Sequence, residues 1–359
     1  MSQRAPATVG QRLEDVDTPA LVLDLDAFEK NLNTLNAAVG RKVRVRPHAK
    51  THKCPDVAKR QIALGAVGMC CQKVSEAEAM VEGGVQDVLV SNEIVGAPKL
   101  ARLAELSRRA KIGVCVDNAE NVRQLKGDLD VYIEIDVGMR RCGVPPGAPA
   151  VALAREILKS GFRFGGLQAY HGRAQHIRSM EERHAVIETA AQHVQHTKRL
   201  LKEAGIECPI VTGAGSGTFM LEVEAGAWDE IQCGSYAFMD VDYAKNEWAA
   251  PLPRFEHALF VLSTVMSRPS AEVAIVDAGL KASSVDSGMP GVWQKELRYT
   301  HASDEHGWVE GKSPPALGEK LLLVPGHCDP TINLYDWYVC VRRGRVEALW
   351  PITARGAVY

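Results

Sequence analysis

The chain has no long apolar run, no basic tract and no CxxC pair, and each absence removes a class of function. Nowhere in its 359 residues is there an unbroken apolar segment of the ~20 residues a helix needs to span a bilayer. The opening stretch MSQRAPATVGQRLEDVDTP carries no apolar core of signal-peptide length. A soluble, cytoplasmic protein without a membrane partner is expected. Lysine plus arginine number 42 against 44 for aspartate plus glutamate, and this formal charge of -2 makes nucleic acid an unexpected partner. The nine cysteines form no CxxC pair, and their odd number without an export signal predicts reduced thiols. The adjacent Cys70 and Cys71 read as packing residues of a strand. The absence of GxxxxGK[ST] argues against a nucleotide triphosphatase.

What is present is a rhythm. Eight short β-rich runs, at 43–47, 68–72, 87–91, 111–116, 131–137, 164–169, 209–212 and 230–233, alternate with helical spacing at 55–64, 75–82, 97–109, 119–126, 149–160 and 180–204. Eight βα repeats predict a closed (β/α)8 TIM-type barrel rather than an open doubly wound sheet. Beyond Pro251 the texture changes to alternating strands separated by Gly, Pro and Asp turns, an antiparallel β domain. The early run PALVLD at 19–24 precedes a helix at 26–39 and has no βα partner, so it is expected to join the C-terminal sheet. The predicted division is a barrel over 25–245 and a β domain built from 1–24 plus 246–359.

Barrel enzymes place their chemistry at the carboxyl ends of the strands. The first strand ends in VRVRPHAKTHKC at 43–54, two histidines and two lysines. Lys50, at the strand end with apolar residues behind it and imidazoles beside it, is placed for a lowered pKa and a nucleophilic role; a solvated basic loop is the plain alternative. The seventh strand runs into TGAGSGT, where Thr212, Gly213, Ser216 and Gly217 suit an anion cradle, and the eighth into Gly234, Ser235 and Tyr236. An amine at strand 1 facing a phosphate site at strands 7 and 8 suggests pyridoxal 5'-phosphate. Arg140 after strand 5 either faces the pyridine nitrogen or is a surface ion-pair residue. Tyr170, His171 and His176 after strand 6 offer a ring or an imidazole to the cofactor. In the C-terminal domain, His327 and Asp329 lie two apart, so that an extended segment puts both on one face toward a divalent cation while Cys328 turns away. Mn2+, Mg2+ or Zn2+ suits such a pair. The cluster Asp304, Glu305 and His306 either lines the same opening or is an exposed turn.

RPHAKTHK (46–53), CCQKVSEAE (70–78), VCVDN (114–118), EIDVGMRRCGV (134–144), LQAYHGRAQH (167–176), TGAGSGT (212–218), CGSYAFMDVDY (233–243), VDAGLK (276–281), DEHG (304–307) and GHCDPT (326–331) together resemble the D-threonine aldolases. These are alanine-racemase-like pyridoxal phosphate enzymes, related to metal-dependent D-serine and 3-hydroxyaspartate dehydratases. The resemblance runs from about residue 17 to 356. It implies Lys50 as the Schiff-base lysine, Arg140 as partner of the pyridine nitrogen, Tyr170 and His176 as active-site residues, and His327 with Asp329 as metal ligands. It also implies a homodimer. Dehydratase relatives tend to show H-x-C where this chain has H-x-D, which favours an aldolase using Mn2+ or Mg2+ over a zinc dehydratase. The expected reaction is retro-aldol cleavage of a D-β-hydroxy-α-amino acid to glycine and an aldehyde, with His176 or a metal-activated water as base. The alternatives are D-serine or 3-hydroxyaspartate dehydration and, in a different class, a pyridoxal phosphate homeostasis protein, against which the C-terminal domain argues.

Overall fold

A computed structural model describes residues 4–248 and 252–359. Strand β1 (Ala20–Asp24) leads into helix α1 (Leu25–Val39). The Asp24 side chain caps this helix by accepting from the Asp26 and Ala27 N–H groups at 2.9 and 3.1 Å, a contact typically worth ~1 kcal/mol. Its apolar stripe, Leu25, Phe28, Leu32, Leu35 and Val39, follows the helical period and is buried. Gly40, at φ 55, ends it.

Eight strands follow: β2 (Arg44–Val45), β3 (Met69–Cys71), β4 (Asp87–Glu93), β5 (Lys111–Val116), β6 (Leu129–Glu134), β7 (Arg163–Ala169), β8 (Val211–Gly213) and β9 (Glu230–Ile231). Helices α2 (Pro55–Ala63), α3 (Val74–Glu82), α4 (Ala97–Leu106), α5 (Ala119–Gln124), α6 (Ala148–Lys159), α7 (Met180–Glu203) and α8 (Phe219–Ala225) connect them. Each of the eight predicted β runs falls on one strand of a single parallel sheet, ordered β2-β9-β8-β7-β6-β5-β4-β3. Its two ends are joined to each other by a parallel bridge between His48 and Cys70, where Cys70 N–H donates to the Pro47 carbonyl at 2.8 Å and Ala49 N–H to the Cys70 carbonyl at 2.7 Å. β2 is short because Pro47 has no N–H to give the ladder, yet His48 N–H still reaches the Cys233 carbonyl at 3.2 Å. Cys70, Leu89, Cys115 and Tyr132 pack inside the sheet, and the larger core lies between strands and helices. All nine cysteines are free.

After helix α9 (Val241–Ala244) the second sheet is built from β10 (Leu259–Ser267), β11 (Val273–Val276), β12 (Gly291–Val292), β13 (Arg298–Ala302), β14 (Gly307–Glu310), β15 (Lys320–Val324), then helix α10 (Cys328–Ile332), β16 (Trp337–Arg342) and β17 (Arg345–Pro351). β1 sits between β10, antiparallel, and β16, parallel, so the start of the chain is a strand of the C-terminal sheet. One core runs through both units: Leu21, Phe28, Val45, Ile231, Phe238, Leu323 and Tyr338 belong to the same buried cluster. No helix among the described residues is long and apolar enough to cross a membrane.

Candidate active site

Beyond β2 the backbone tightens into a turn, with His52 N–H and Lys53 N–H both donating to the Ala49 carbonyl. The turn sends its two lysines opposite ways. Lys53 is buried, its Nζ 3.1 Å from Glu76, whereas Lys50 lines a cavity of about 460 Å³ at the carboxyl ends of the parallel strands. The second sheet clamps this turn from behind: buried Tyr338 donates to the His52 carbonyl at 2.8 Å, and Ala354 N–H to the Lys53 carbonyl at 3.1 Å. A groove of about 750 Å³ at the opposite strand ends is lined by Val43, Val45, Val67 and Ile210 among others. It lies away from the ends where such sheets place their chemistry.

Lys50 Nζ is ion-paired with Asp329. Burial works to lower the lysine's pKa, as the sequence reading expected, but attraction to Asp329 and Tyr170 outweighs it and the pKa is raised. This corrects the expected lowered value: the counter-charge comes from the other end of the chain. Burial opposes the Asp329 charge too, yet Lys50 and His327 hold its carboxyl far below the ordinary range. Beside them His48 is kept neutral, its pKa pushed down to about 3 by burial and by Lys50.

Asp329 reaches Lys50 because two loops are stitched together. Val241 N–H and Asp242 N–H donate to the Pro325 and Gly326 carbonyls at 3.0 and 3.2 Å, and buried Asp240 accepts from Cys328 N–H at 2.9 Å. The expected extended geometry at 327–329 is not what forms. His327 is extended (φ -143), but Cys328 starts α10, so Asp329 lies in a helical first turn, close to Lys50 and 3.4 Å from the Ser235 hydroxyl. Cys328 is buried, but it does not turn away as expected: its thiol lies 3.4 Å from Asp329 Oδ1. His327 Nδ1 bonds Asp286 at 2.8 Å, which leaves Nε2 for a ligand. Gly326 permits this approach, since a Cβ there would stand 2.0 Å from the Gly288 carbonyl.

The anion cradle is smaller than the sequence implied. Gly215, Ser216, Gly234 and Ser235 line the cavity with Ala214, which takes a left-handed φ of 64. Among the described residues the N–H groups of Gly215, Ser216 and Gly234 donate to no protein group. Thr51 Oγ1 is buried without a partner, and a Cβ on Gly234 would come within 2.3 Å of it. Four predicted contributors lie outside. Thr212 is turned inside the sheet, donating to Glu230 at 2.9 Å; Gly213 is in β8 against Ala169; Gly217 packs on Gln175, which accepts its N–H at 2.9 Å; and the Tyr236 hydroxyl is buried on Gln61 at 3.1 Å.

Arg140 is also misplaced by the sequence reading. It is exposed at φ 55, in a turn whose N–H groups bond Asp136, and its neighbour Arg141 lines the cavity instead. The Arg141 guanidinium stands 5.8 Å from the Tyr170 ring centre and 3.6 Å from Glu134. Tyr170 and His176 both line the cavity. His176 Nδ1 bonds Asp242 at 2.6 Å, and Arg178 pairs with the same carboxylate. With Nδ1 engaged by Asp242, Nε2 is the ring nitrogen left for a substrate. Asp304 and Glu305 pair with exposed Lys281 at 3.9 and 2.8 Å, outside the cavity. His48, read from the sequence as an imidazole beside Lys50, does line the cavity, whereas sequence reasoning gave no role to Gln72, Ser91, Gln168 and Gln232, which line it too. Their common signal is a polar residue where an otherwise apolar strand ends.

Residues 23–242 match the family model of the alanine racemase N-terminal domain, and 258–341 match a serine dehydratase domain. A D-threonine aldolase from Arthrobacter sp is 50% identical over 364 residues, covering 98% of this chain and 96% of its own. The chain belongs to the D-threonine aldolase family. A 3-hydroxy-D-aspartate aldolase from Paracoccus denitrificans (strain Pd 1222) is 44% identical, over 99% of this chain and 96% of its own. The crystal structure of a D-threonine aldolase from Filomicrobium marinum matches with a TM-score of 0.97 at 51% identity, covering 99% of this chain and 100% of that one. The D-threo-3-hydroxyaspartate dehydratase from Delftia sp. HT23 matches at 0.84 with 28% identity, over 95% and 98%. The alanine-racemase-like fold of the family is thus shared by aldolases and dehydratases, and the site must distinguish them.

Proposed function

We propose that the chain is a pyridoxal phosphate- and divalent-metal-dependent aldolase cleaving D-threonine and related D-β-hydroxy-α-amino acids to glycine and an aldehyde. The observation that carries this is the meeting of Lys50 with Asp329, which brings the aspartate of the H-x-D pair against an imine-forming amine that lines the cavity. Reading the parallel sheet as a TIM-type (β/α)8 barrel is supported by the backbone bonds between β2 and β3.

The residues present fit both groups. The free N–H groups of Gly215, Ser216 and Gly234, the orphaned Thr51 hydroxyl and Ser235 suit a phosphate. Lys50 supplies the amine, and Arg141, held by Glu134, takes the ring-facing role that the sequence gave to Arg140. His327 and Asp329 would hold the cation, an imidazole and a carboxylate suiting Mn2+ or Mg2+, with Zn2+ also able to bind. Pyridoxal phosphate supplies an electron sink for the pair left when Cα–Cβ breaks, and the divalent cation supplies Lewis acidity at the β-hydroxyl.

The chain's own part is proton handling and orientation. His176, fixed by Asp242, offers Nε2 to take the β-hydroxyl proton as the C–O bond becomes a carbonyl and the aldehyde departs. Tyr170 and neutral His48 line the same cavity as Lys50, and the His48 ring accepts the Lys50 backbone N–H at 3.3 Å, which steadies the turn that presents the lysine. A cytoplasmic homodimer is the working form this reading takes. The test is product analysis with D-threonine, D-phenylserine, 3-hydroxyaspartate and D-serine in the presence of pyridoxal phosphate and Mn2+. Glycine and aldehyde in equal amounts support the aldolase; ammonia and an oxo acid would make the chain a dehydratase instead.

A further inference from the structure

At the same end of the sheet, but on β4 to β6 rather than β2 and β9, lies a cluster that the proposed reaction does not use. Glu93 ends β4, Asp117 follows β5, and Cys142 sits in the loop after β6; one ligand atom from each falls within 4.8 Å of the others. Asp117 is fixed by bonds from Gly143 N–H at 3.2 Å and the Asn118 amide at 2.8 Å. Both Glu93 carboxylate oxygens are buried without a hydrogen-bond partner.

A second observation points to something missing there. Glu134, only 4% exposed, interacts directly with the Glu93 carboxyl group, and among the described residues no donor reaches its Oε2. Its one ion pair, to Arg141 at 3.6 Å, engages the other oxygen. Three carboxylates crowded beside one guanidinium need either a shared proton or a cation.

We propose that Glu93, Asp117 and Cys142, with Glu134 beside them, form a second divalent-cation site, separate from His327 and Asp329. One thiolate and two carboxylates give a three-ligand sulfur and oxygen set open to water, which favours a thiophilic ion such as Zn2+ over Mg2+. Binding displaces the thiol proton and any proton the two glutamates share.

The test uses the full chain loaded with pyridoxal phosphate and carrying Asp329→Asn to disable the other site, equilibrated with Zn2+ alone. Metal analysis should find one zinc per chain, and zinc X-ray absorption should show a sulfur neighbour at ~2.3 Å. Adding Cys142→Ser should remove that sulfur and weaken zinc binding roughly tenfold or more, and Glu93→Gln should weaken it while keeping the sulfur. Circular dichroism checks that each variant folds, and Glu93→Gln carries the test if Cys142→Ser does not. Absence of retained zinc in Asp329→Asn would overturn the proposal in favour of a shared proton. A sulfur neighbour surviving Cys142→Ser would also overturn it, placing the ion on another thiol.

Discussion

Two cation–carboxylate clusters grow from the same short stretch around β2, and they differ in almost everything but charge. Arg46 pairs with Glu230 at 2.8 Å and Asp87 at 2.6 Å, with the arginine and Glu230 side chains 5% and 1% exposed. Arg44 and Thr212 also bond Glu230, so that carboxylate is saturated. Four residues on, Lys50 pairs with Asp329, but there the side chains are 40% and 12% exposed and the lysine lines a cavity. The Arg46–Glu230 pair at the centre of the first cluster is buried inside the sheet and, with Arg44 and Asp87 at 44% and 26% exposed on its rim, ties strands together. The second has one partner supplied by another domain, is reachable by a ligand, and lies beside free N–H groups. Burial and saturation separate a structural ion pair from a reactive one.

That contrast can be broken by substitution, and the effects should fall in order. Lys50→Ala should abolish turnover and the visible absorbance of lysine-bound cofactor while leaving the melting temperature nearly unchanged. If it destabilised the fold as much as loss of Arg46 does, the contrast would collapse. His176→Ala should lower kcat by about 10²–10⁴ with little change in KM, the usual size of a general-base contribution, in steady-state assays of glycine release. Arg46→Ala should cost about 3–5 kcal/mol in denaturant unfolding, because it strands Glu230 without its buried partner.

The last effect is a pH slope. Glu134 has a raised folded pKa, about 8, so its neutral form is favoured by folding. Its contribution to stability is full below the unfolded glutamate value of about 4.3 and is lost as pH rises toward about 8. Chelated protein should therefore lose stability across this window, and Glu134→Gln should flatten the loss. An unchanged slope in the variant would mean that another group titrates.

The fold was legible to a large degree because it rests on local signals. Alternating apolar runs and helical spacing placed all eight parallel strands, and the unpaired run at 19–24 announced β1's place in the other sheet. The site was legible where a motif sits on one turn, as Lys50 does. It was not legible where geometry depends on distant partners. Asp329 lies 279 residues from Lys50 and reversed the expected direction of the lysine's pKa. Asp286, which orients His327, is 41 residues away. Adjacent arginines could not be told apart because the choice rests on left-handed turns at Gly138 and Arg140. Only α10 had a local sign that was missed: an aspartate and a proline in the first turn mark a helix start rather than a strand.

The central claim is a division of labour, Lys50 securing the cofactor and the His327–Asp329 pair selecting the reaction. Asp329→Ala, assayed with D-threonine, pyridoxal phosphate and Mn2+, tests it directly. The account predicts retained cofactor absorbance with glycine and aldehyde release reduced to the level of chelated wild-type protein. Unchanged turnover in the variant, or wild-type turnover that survives exhaustive chelation, would contradict it.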